Sequence, residues 1–181
     1  MKPIAVLDSS IVVAGIGWRR DARLVLRLLA RRGFISIRTP YLTTEWTQTV
    51  SRLSTDPRWR NVNWANWLDW LKRASVLMDN PHMRPTVRRD PKDDPVLAAA
   101  VAARAKFLVS YDNDFLDLGK PHGVHCIRPR EFLAAVLASS LLKKPPGEGT
   151  GPTMHAVFRG NLVGRVPSRG ERHVVQQTAR P

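Results

Sequence analysis

Four acidic residues stand at positions from which their side chains could bind a metal ion together. Asp8 and Asp112 each follow a short apolar segment directly, and Asp94 precedes an apolar helical segment. Glu45 lies beside the apolar face of another predicted helix. Converged carboxylates repel one another unless a cation neutralises them. Oxygen ligands without His or Cys favour Mg²⁺ or Mn²⁺, and such sites support attack of a metal-activated water on a phosphodiester.

Each of these acids, taken alone, also has a structural explanation. Asp8 would cap a short helix, and Asp93 or Asp94 would cap the helix that starts next to them. Asp112 would make an Asx turn, and Glu45 would be a solvated helix residue. Their joint placement favours a metal site, because ligands of parallel sheets bind beyond the carboxyl ends of the strands, where the strand order reverses.

Short apolar runs alternate with helical patterns along residues 1–142. The predicted strands are Ile4–Leu7, Phe34–Ile37, Ala74–Met78, Phe107–Ser110 and Val124–Ile127; the predicted helices are Asp21–Arg32, one beginning at Pro40 with Thr39 as its cap, Trp64–Leu71, Val96–Arg104 and Glu131–Leu142. A short helix from Ser9 is expected to be interrupted by Gly15 and Gly17. This alternation predicts an α/β fold in three α/β/α layers around a central parallel sheet.

The charge of the chain is strongly positive. It carries 29 Lys and Arg against 15 Asp and Glu, for a net charge of +14 and a pI near 11.3. Such a surplus favours polyanionic partners such as nucleic acid. Residues 1–142 form the predicted nuclease domain, and residues 143–181 are a basic segment rich in Pro, Gly and Arg that we expect to be disordered.

Cysteine content and hydropathy limit the environment of the protein. Cys126 is the single cysteine, which excludes an intrachain disulfide and a multi-cysteine zinc site and predicts a small buried side chain. No apolar run approaches the ~18 residues of a membrane span, so no membrane partner is expected. The short run Ile4–Leu7 does not resemble a signal peptide, and a cytoplasmic location is predicted.

Four segments in order resemble the sequence pattern of a known nuclease family. They are Val6-Leu-Asp-Ser-Ser10, the helix around Glu45, Asp90-Pro-Lys-Asp-Asp-Pro-Val-Leu-Ala-Ala-Ala100, and Leu108-Val-Ser-Tyr-Asp-Asn-Asp-Phe115 followed by Gly123 to Phe132. Over about residues 3 to 138 the chain resembles the PIN-domain ribonucleases, in the branch of the VapC-like toxins of type II toxin–antitoxin pairs.

The resemblance implies roles for particular residues. The catalytic residues that bind the metal would be Asp8, Glu45, Asp94 and Asp112, with Asp114 as a further ligand. The hydroxyls of Ser10 and Ser110 would support these ligands. Ser110 stands where the family usually has Thr, and the choice of Asp94 over Asp93 stays open. The resemblance also implies Mg²⁺ (or Mn²⁺ in its place), an RNA substrate, a cognate antitoxin and a homodimer.

Two further groups of side chains suggest contacts. One group is a row of arginines at helical spacing. It is either a surface that binds RNA or an acidic segment of an antitoxin, or simply a solvated helix face; its members are Arg20, Arg23, Arg27 and Arg31. Trp64 and Trp67, also at helical spacing, predict packing in the core or in a dimer rather than base stacking.

The resulting hypothesis is a Mg²⁺-dependent endoribonuclease, the toxin of a toxin–antitoxin pair. One alternative is a PIN nuclease that acts in RNA processing outside such a pair. Another is a non-catalytic α/β domain that binds nucleic acid and uses its acids only as caps. A phosphatase with an aspartate nucleophile would need an acid two residues after Asp8, where Ser10 stands.

Overall fold

Five parallel strands form one central sheet. The computed structural model describes residues 1–18, 20–82 and 94–141. Its strands are β1 (Ile4–Leu7), β2 (Ile35–Arg38), β3 (Val76–Leu77), β4 (Phe107–Val109) and β5 (His125–Ile127), in the spatial order β3-β2-β1-β4-β5. Val6, at the centre, pairs with Ile37 on one side and Leu108 on the other. The prediction of a parallel sheet is confirmed.

Helices cover this sheet. They are α1 (Ser9–Gly17), α2 (Asp21–Ala30), α3 (Pro40–Ser54), α4 (Trp64–Ala74), α5 (Asp94–Ala102), α6 (Asn113–Leu118) and α7 (Pro129–Leu141). Helix α1 packs against α2 and α3, α5 packs on β1, β2 and β4, and α7 packs on β4 and α2. The predicted three-layer α/β/α class is confirmed. Within the residues described, none of the helices is long and apolar enough to cross a membrane.

The two central strands meet where the strand order reverses. The residues of β1 from Ala5 to Leu7 and those of β4 from Leu108 to Val109 have no exposed surface, as expected of parallel strands covered on both faces. From β1 the chain proceeds to β2 on one side, and β4 is added later on the other side. The crevice beyond the carboxyl ends of β1 and β4 is therefore the place where such a sheet binds ligands.

The prediction that Gly15 and Gly17 interrupt the first helix is wrong. Helix α1 continues to Gly17. A Cβ atom on Gly15 would lie 2.6 Å from Leu26 Cδ1 and 3.0 Å from the backbone oxygen of Ala22. Gly15 is thus required for the close approach of α1 and α2, and this packing outweighs the low helix propensity of glycine.

Other boundaries differ from the prediction by a few residues. Helix α2 ends at Ala30 rather than at residue 32, and Arg32, with φ of 54°, takes the left-handed position one residue before Gly33. Thr39 caps α3 as predicted, because its Oγ1 accepts a hydrogen bond from the Leu42 N–H at 3.2 Å. Cys126 is buried, as expected, and its burial raises the thiol pKa to about 11.

The two tryptophans that the sequence predicts to pack in the core or in a dimer are buried in the core. Trp67 has no exposed surface and Trp64 is only slightly exposed, so core packing is confirmed for both. The predicted tail, residues 143–181, and the predicted turn from residue 90 to 93 lie outside the described residues.

Candidate active site

Asp8 is the acid held most firmly at the sheet edge. It follows β1, is only 6% exposed, and its N–H donates to the Val109 carbonyl oxygen at 3.1 Å, which fastens the end of β1 to β4. Its carboxylate also caps α1, since Oδ2 accepts from the Ser10 N–H at 3.3 Å. The predicted capping role of Asp8 is therefore present.

Two serine hydroxyls fix the same oxygen of Asp8. Ser10 Oγ donates to Oδ2 at 2.5 Å and Ser110 Oγ donates to it at 2.7 Å. Ser110 follows β4 and has no exposed surface. With these two hydroxyls and the cap, Oδ2 has three donors and no room for a further strong partner.

A third serine, which the sequence analysis did not single out, connects Asp8 with Glu45. Ser9 Oγ lies 2.6 Å from Glu45 Oε1 and 3.4 Å from Asp8 Oδ1. A hydroxyl has one proton to donate, and the shorter contact takes it. Asp8 Oδ1 is thereby left without a strong donor, although it belongs to a buried carboxylate.

Glu45 is not the solvated helix residue that one interpretation of the sequence suggested. It projects from α3, which follows β2, and is half-buried. Its Oε2 is buried and, among the described residues, has no hydrogen-bond partner. Burial raises the pKa of Glu45, the Ser9 hydrogen bond opposes this shift, and the nearby charge of Asp8 adds to it. In the absence of a cation, the ionised carboxylate is therefore poorly accommodated.

Asp112 and Asp114 occupy the rim of the site. The Asp112 N–H donates to Ser110 Oγ at 2.9 Å, and Asp112 Oδ1 accepts from the Asp114 N–H at 2.9 Å, so Asp112 caps α6 in an Asx turn. Asp112 is exposed and Asp114 is half-buried. Because Ser110 contacts both Asp8 and Asp112, the ends of β1 and β4 share one hydrogen-bond network.

One cleft, of about 990 Å³, joins these acids. Asp8, Glu45 and Asp112 line it, together with residues of α1 and α3. Helix α5 begins at Asp94 and packs on β1 and β4, but the Asp94 side chain lies outside what the structure describes. Three of the four predicted ligands thus face a common cleft, and the position of the fourth carboxylate stays a prediction.

Comparison with known families gives a clear match. Residues 5–114 match the sequence model of the PIN domain. The chain belongs to the PIN domain family. PIN domains are nucleases and generally use a divalent metal ion. No curated protein matches the sequence significantly.

Solved structures show related folds at low sequence identity. A Pyrobaculum aerophilum protein is 18% identical, with a TM-score of 0.55 over 76% of this chain and 98% of that one. A PilT N-terminus domain protein from Sulfolobus solfataricus is 16% identical (TM-score 0.49, 81% and 99% covered). VapBC2 from Rickettsia felis, bound to a promoter DNA fragment, is also 16% identical (TM-score 0.48, 69% and 98% covered). The Pyrobaculum aerophilum protein shows that the fold is shared.

The acids of this PIN domain fit a hard divalent cation. Asp8 Oδ1 and Glu45 Oε2 are oxygen ligands without strong partners, and among the residues that the structure describes neither His nor Cys lines the cleft. Within the side chains that the structure describes, no three His, Cys, Asp or Glu residues come together as a complete metal site. A complete set of protein ligands therefore has to draw on a further group, for which Asp94 is the predicted candidate.

The arginine row of the PIN domain divides into two groups. Arg20 and Arg27 are exposed and Arg31 is half-buried. Arg23 instead turns inward, with Nη2 donating to the Ile16 carbonyl oxygen at 2.8 Å and the guanidinium 4.5 Å from the Trp67 ring centroid. Arg23 joins α2 to α1 and α4 and therefore does not belong to the predicted surface of four arginines.

Proposed function

We propose that this PIN domain is a Mg²⁺-dependent endoribonuclease whose cation is held by Asp8, Glu45, Asp94 and Asp112, with Asp114 nearby. The observation that carries the proposal is the pair of incompletely satisfied oxygens, Asp8 Oδ1 and Glu45 Oε2, in a cleft at the strand-order reversal. Leaving a buried carboxylate oxygen without a partner costs stability, and such a cost is retained where the site has a ligand to bind. Mn²⁺ is the expected substitute.

The cation supplies charge neutralisation and Lewis acidity at the scissile phosphate. The protein contributes orientation. Ser10 and Ser110 hold Asp8 by one oxygen, which leaves the other to face the cleft in a single direction. Ser9 does the same for Glu45 by occupying Oε1. Asp112, at the exposed rim, lies where a phosphodiester approaches from solvent.

Charge supports a polyanionic substrate. The chain carries a net charge of +14, and Arg52 lines the same cleft as the acids. Contacts with backbone phosphates supply most of the affinity for nucleic acid. RNA, rather than DNA, is proposed from the resemblance to the PIN-domain toxins.

The same resemblance supports the biological setting that we propose. The protein would act in the cytoplasm as the toxin of a type II toxin–antitoxin pair, as a homodimer that a cognate antitoxin blocks. Coexpression with the product of a small adjacent reading frame tests this setting. The absence of both a complex and any relief of toxicity would favour a nuclease of RNA processing instead.

RNA cleavage by purified variants tests the catalytic proposal. We expect cleavage in Mg²⁺ or Mn²⁺ and none in EDTA, with losses of about a hundredfold or more in Asp8→Asn and Asp94→Asn, the scale of removing one group that stabilises transition-state charge. Asp69→Asn changes an exposed carboxylate on α4 and serves as the matched control. Equal cleavage by wild type and Asp8→Asn, or cleavage that persists in EDTA, would disprove the assignment.

A further inference from the structure

The cleft extends well beyond the acids, along the groove between α1 and α3. Its wall on α1 includes Val13, and its wall on α3 includes Gln48, Thr49 and Arg52. Arg52 lies about two helical turns beyond Glu45 on the same side of α3. We call this groove the α1–α3 cleft. Its lining runs from the acids to Arg52, near the carboxyl end of α3.

Two tryptophans lie at the carboxyl end of α1, beyond the part of this helix that lines the cleft. Gly17 lies one turn beyond Val13 on the same side of α1, and a Cβ atom there would be 3.0 Å from the Trp59 ring. The next residue, Trp18, is 47% exposed and packs edge-on against Trp59, with ring centroids 4.7 Å apart. Trp59 in turn contacts Trp64, which is buried in the core. The exposed indole of Trp18 therefore rests on a half-buried tryptophan that is itself packed against the core.

Arginines flank the Trp18–Trp59 pair along the chain. Arg60 is exposed and follows Trp59 directly, and the exposed Arg20 lies two residues after Trp18. Arg52 lines the cleft that also contains the acids. Arg58 is also exposed, and its guanidinium pairs with Asp56 at 2.6 Å. Four arginines thus stand against two neighbouring acids, Asp21 and Asp56, so positive charge is in surplus near the pair.

We propose that the Trp18–Trp59 pair is a stacking platform for a base of single-stranded RNA that lies in the α1–α3 cleft. The proposal rests on the nuclease function proposed above, and it names a subsite of the same active site. From Ser10 to Gly17 the helix rises by roughly 10 Å. At ~3.4 Å per stacked nucleotide, the platform lies about three nucleotides from the scissile phosphate.

The chemistry of the surface favours a nucleic acid strand over a protein segment. An exposed aromatic face beside arginines is the combination that single-strand binders use, with bases on the rings and phosphates on the cations. The α1–α3 cleft between the acids and the platform is lined mainly by polar side chains, including Gln48, Thr49 and Ser51. A groove for an amphipathic helix would instead present a row of apolar pockets.

Binding and cleavage measured separately test the platform. A fluorescently labelled, unstructured oligoribonucleotide is titrated with the full chain in EDTA at ~0.15 M salt, so that binding is observed without cleavage. Trp18→Ala should bind roughly tenfold more weakly, the effect of losing one base–aromatic stack, and Trp18→Phe should recover most of the loss. Leu77→Ala removes a comparably exposed apolar side chain on β3 and should bind as wild type does.

Abasic oligonucleotides identify stacking as the cause. A single abasic position near the third nucleotide from the cleavage site should weaken wild-type binding by about the same factor. It should weaken Trp18→Ala no further, because the two changes remove one interaction. If Trp18→Ala binds RNA as tightly as wild type does, or if the two losses multiply, the platform is refuted. A Trp18→Ala variant that loses only a protein partner refutes it as well.

The two proposals fail in different ways. Wild-type protein that binds RNA with the Trp18 dependence described, but does not cleave it in Mg²⁺, would refute the nuclease and leave the platform standing. Cleavage with the same KM in wild type and Trp18→Ala would refute the platform alone. Wild-type protein that neither binds nor cleaves RNA would refute both.

Discussion

Replacement of Glu45 by Gln should stabilise the metal-free protein at neutral pH. The change keeps an oxygen that can accept the Ser9 hydroxyl but removes the negative charge beside Asp8. The two carboxylate oxygens that flank Ser9 lie no more than about 6 Å apart, as the two hydrogen-bond distances require. Two unit charges at that separation repel by roughly 3 kcal/mol at an effective dielectric constant of about 20.

Solvent and salt reduce this repulsion, because Glu45 is only half-buried. We therefore expect a gain of about 1–2 kcal/mol in the free energy of unfolding, or roughly 2–8 °C in Tm for a domain of this size. The measurement is thermal unfolding in EDTA, followed by circular dichroism. Asp69→Asn, which removes an exposed carboxylate from α4, is the matched control and should leave Tm almost unchanged.

The stabilisation should depend on pH in a defined direction. The pKa of Glu45 in the folded protein is raised above its ordinary value of 4.5. Between these two values the folded state binds more protons than the unfolded state, so the wild type loses stability as the pH rises through this window. The advantage of the Glu45→Gln variant should therefore appear above pH ~4.5 and disappear below it.

Added Mg²⁺ should make wild type more stable than the Glu45→Gln variant, the reverse of their order in EDTA. A ligand that binds only the folded state at 100 times its Kd stabilises it by about 2.7 kcal/mol. Wild type should gain most of this, and Glu45→Gln distinctly less, because it lacks one anionic ligand. If Glu45→Gln melts below wild type in EDTA at pH 7 while Asp69→Asn does not, the Glu45 carboxylate is a stabilising structural group and the reasoning fails.

Three further outcomes follow from the packing. Ser110→Ala removes a hydrogen-bond donor to Asp8 and should lower the free energy of unfolding in urea by about 1–3 kcal/mol, with loss of most of the cleavage activity. Ser110→Thr keeps the hydroxyl and should retain both stability and activity. An Ala variant with normal stability would contradict this expectation. Gly15→Ala should cost roughly 1–3 kcal/mol, since its Cβ would press on Leu26, and unchanged denaturation midpoints would refute it. Cys126, buried and with its thiol pKa raised to about 11, should resist thiol reagents at pH 8 until the protein is unfolded; rapid labelling of native protein would be inconsistent with that burial.

Much of the fold could be predicted from the sequence, because buried parallel strands require continuous apolar runs. The runs ending at Leu7 and Val109 are of this kind, and each is followed by an acid or a hydroxyl at the sheet edge. Thr39 before Pro40 was a sufficient signal for the start of α3. These features depend on local chemistry, which the sequence shows directly.

Features that depend on how elements pack together could not be predicted in the same way. Gly15 has low helix propensity, and only the neighbouring Leu26 explains its place inside α1. Arg23 has the helical spacing of a solvated row, yet Trp67, from a distant helix, draws its guanidinium inward. The signal for Trp18 was present, an aromatic residue beside arginines, but its exposure depends on the position of Trp59.

The capping and metal-binding interpretations of the acids do not exclude each other. Asp8 caps α1 and accepts two hydroxyls through Oδ2, while Oδ1 keeps only a long contact with Ser9. Asp112 likewise caps α6 through Oδ1, and this leaves Oδ2 for another partner. Each carboxylate has two oxygens, so a structural bond to one of them orients the other toward the cleft. Glu45 begins no helix, and its buried Oε2 has no capping explanation. By the same reasoning, a cap at the start of α5 would be no objection to Asp94 as a ligand.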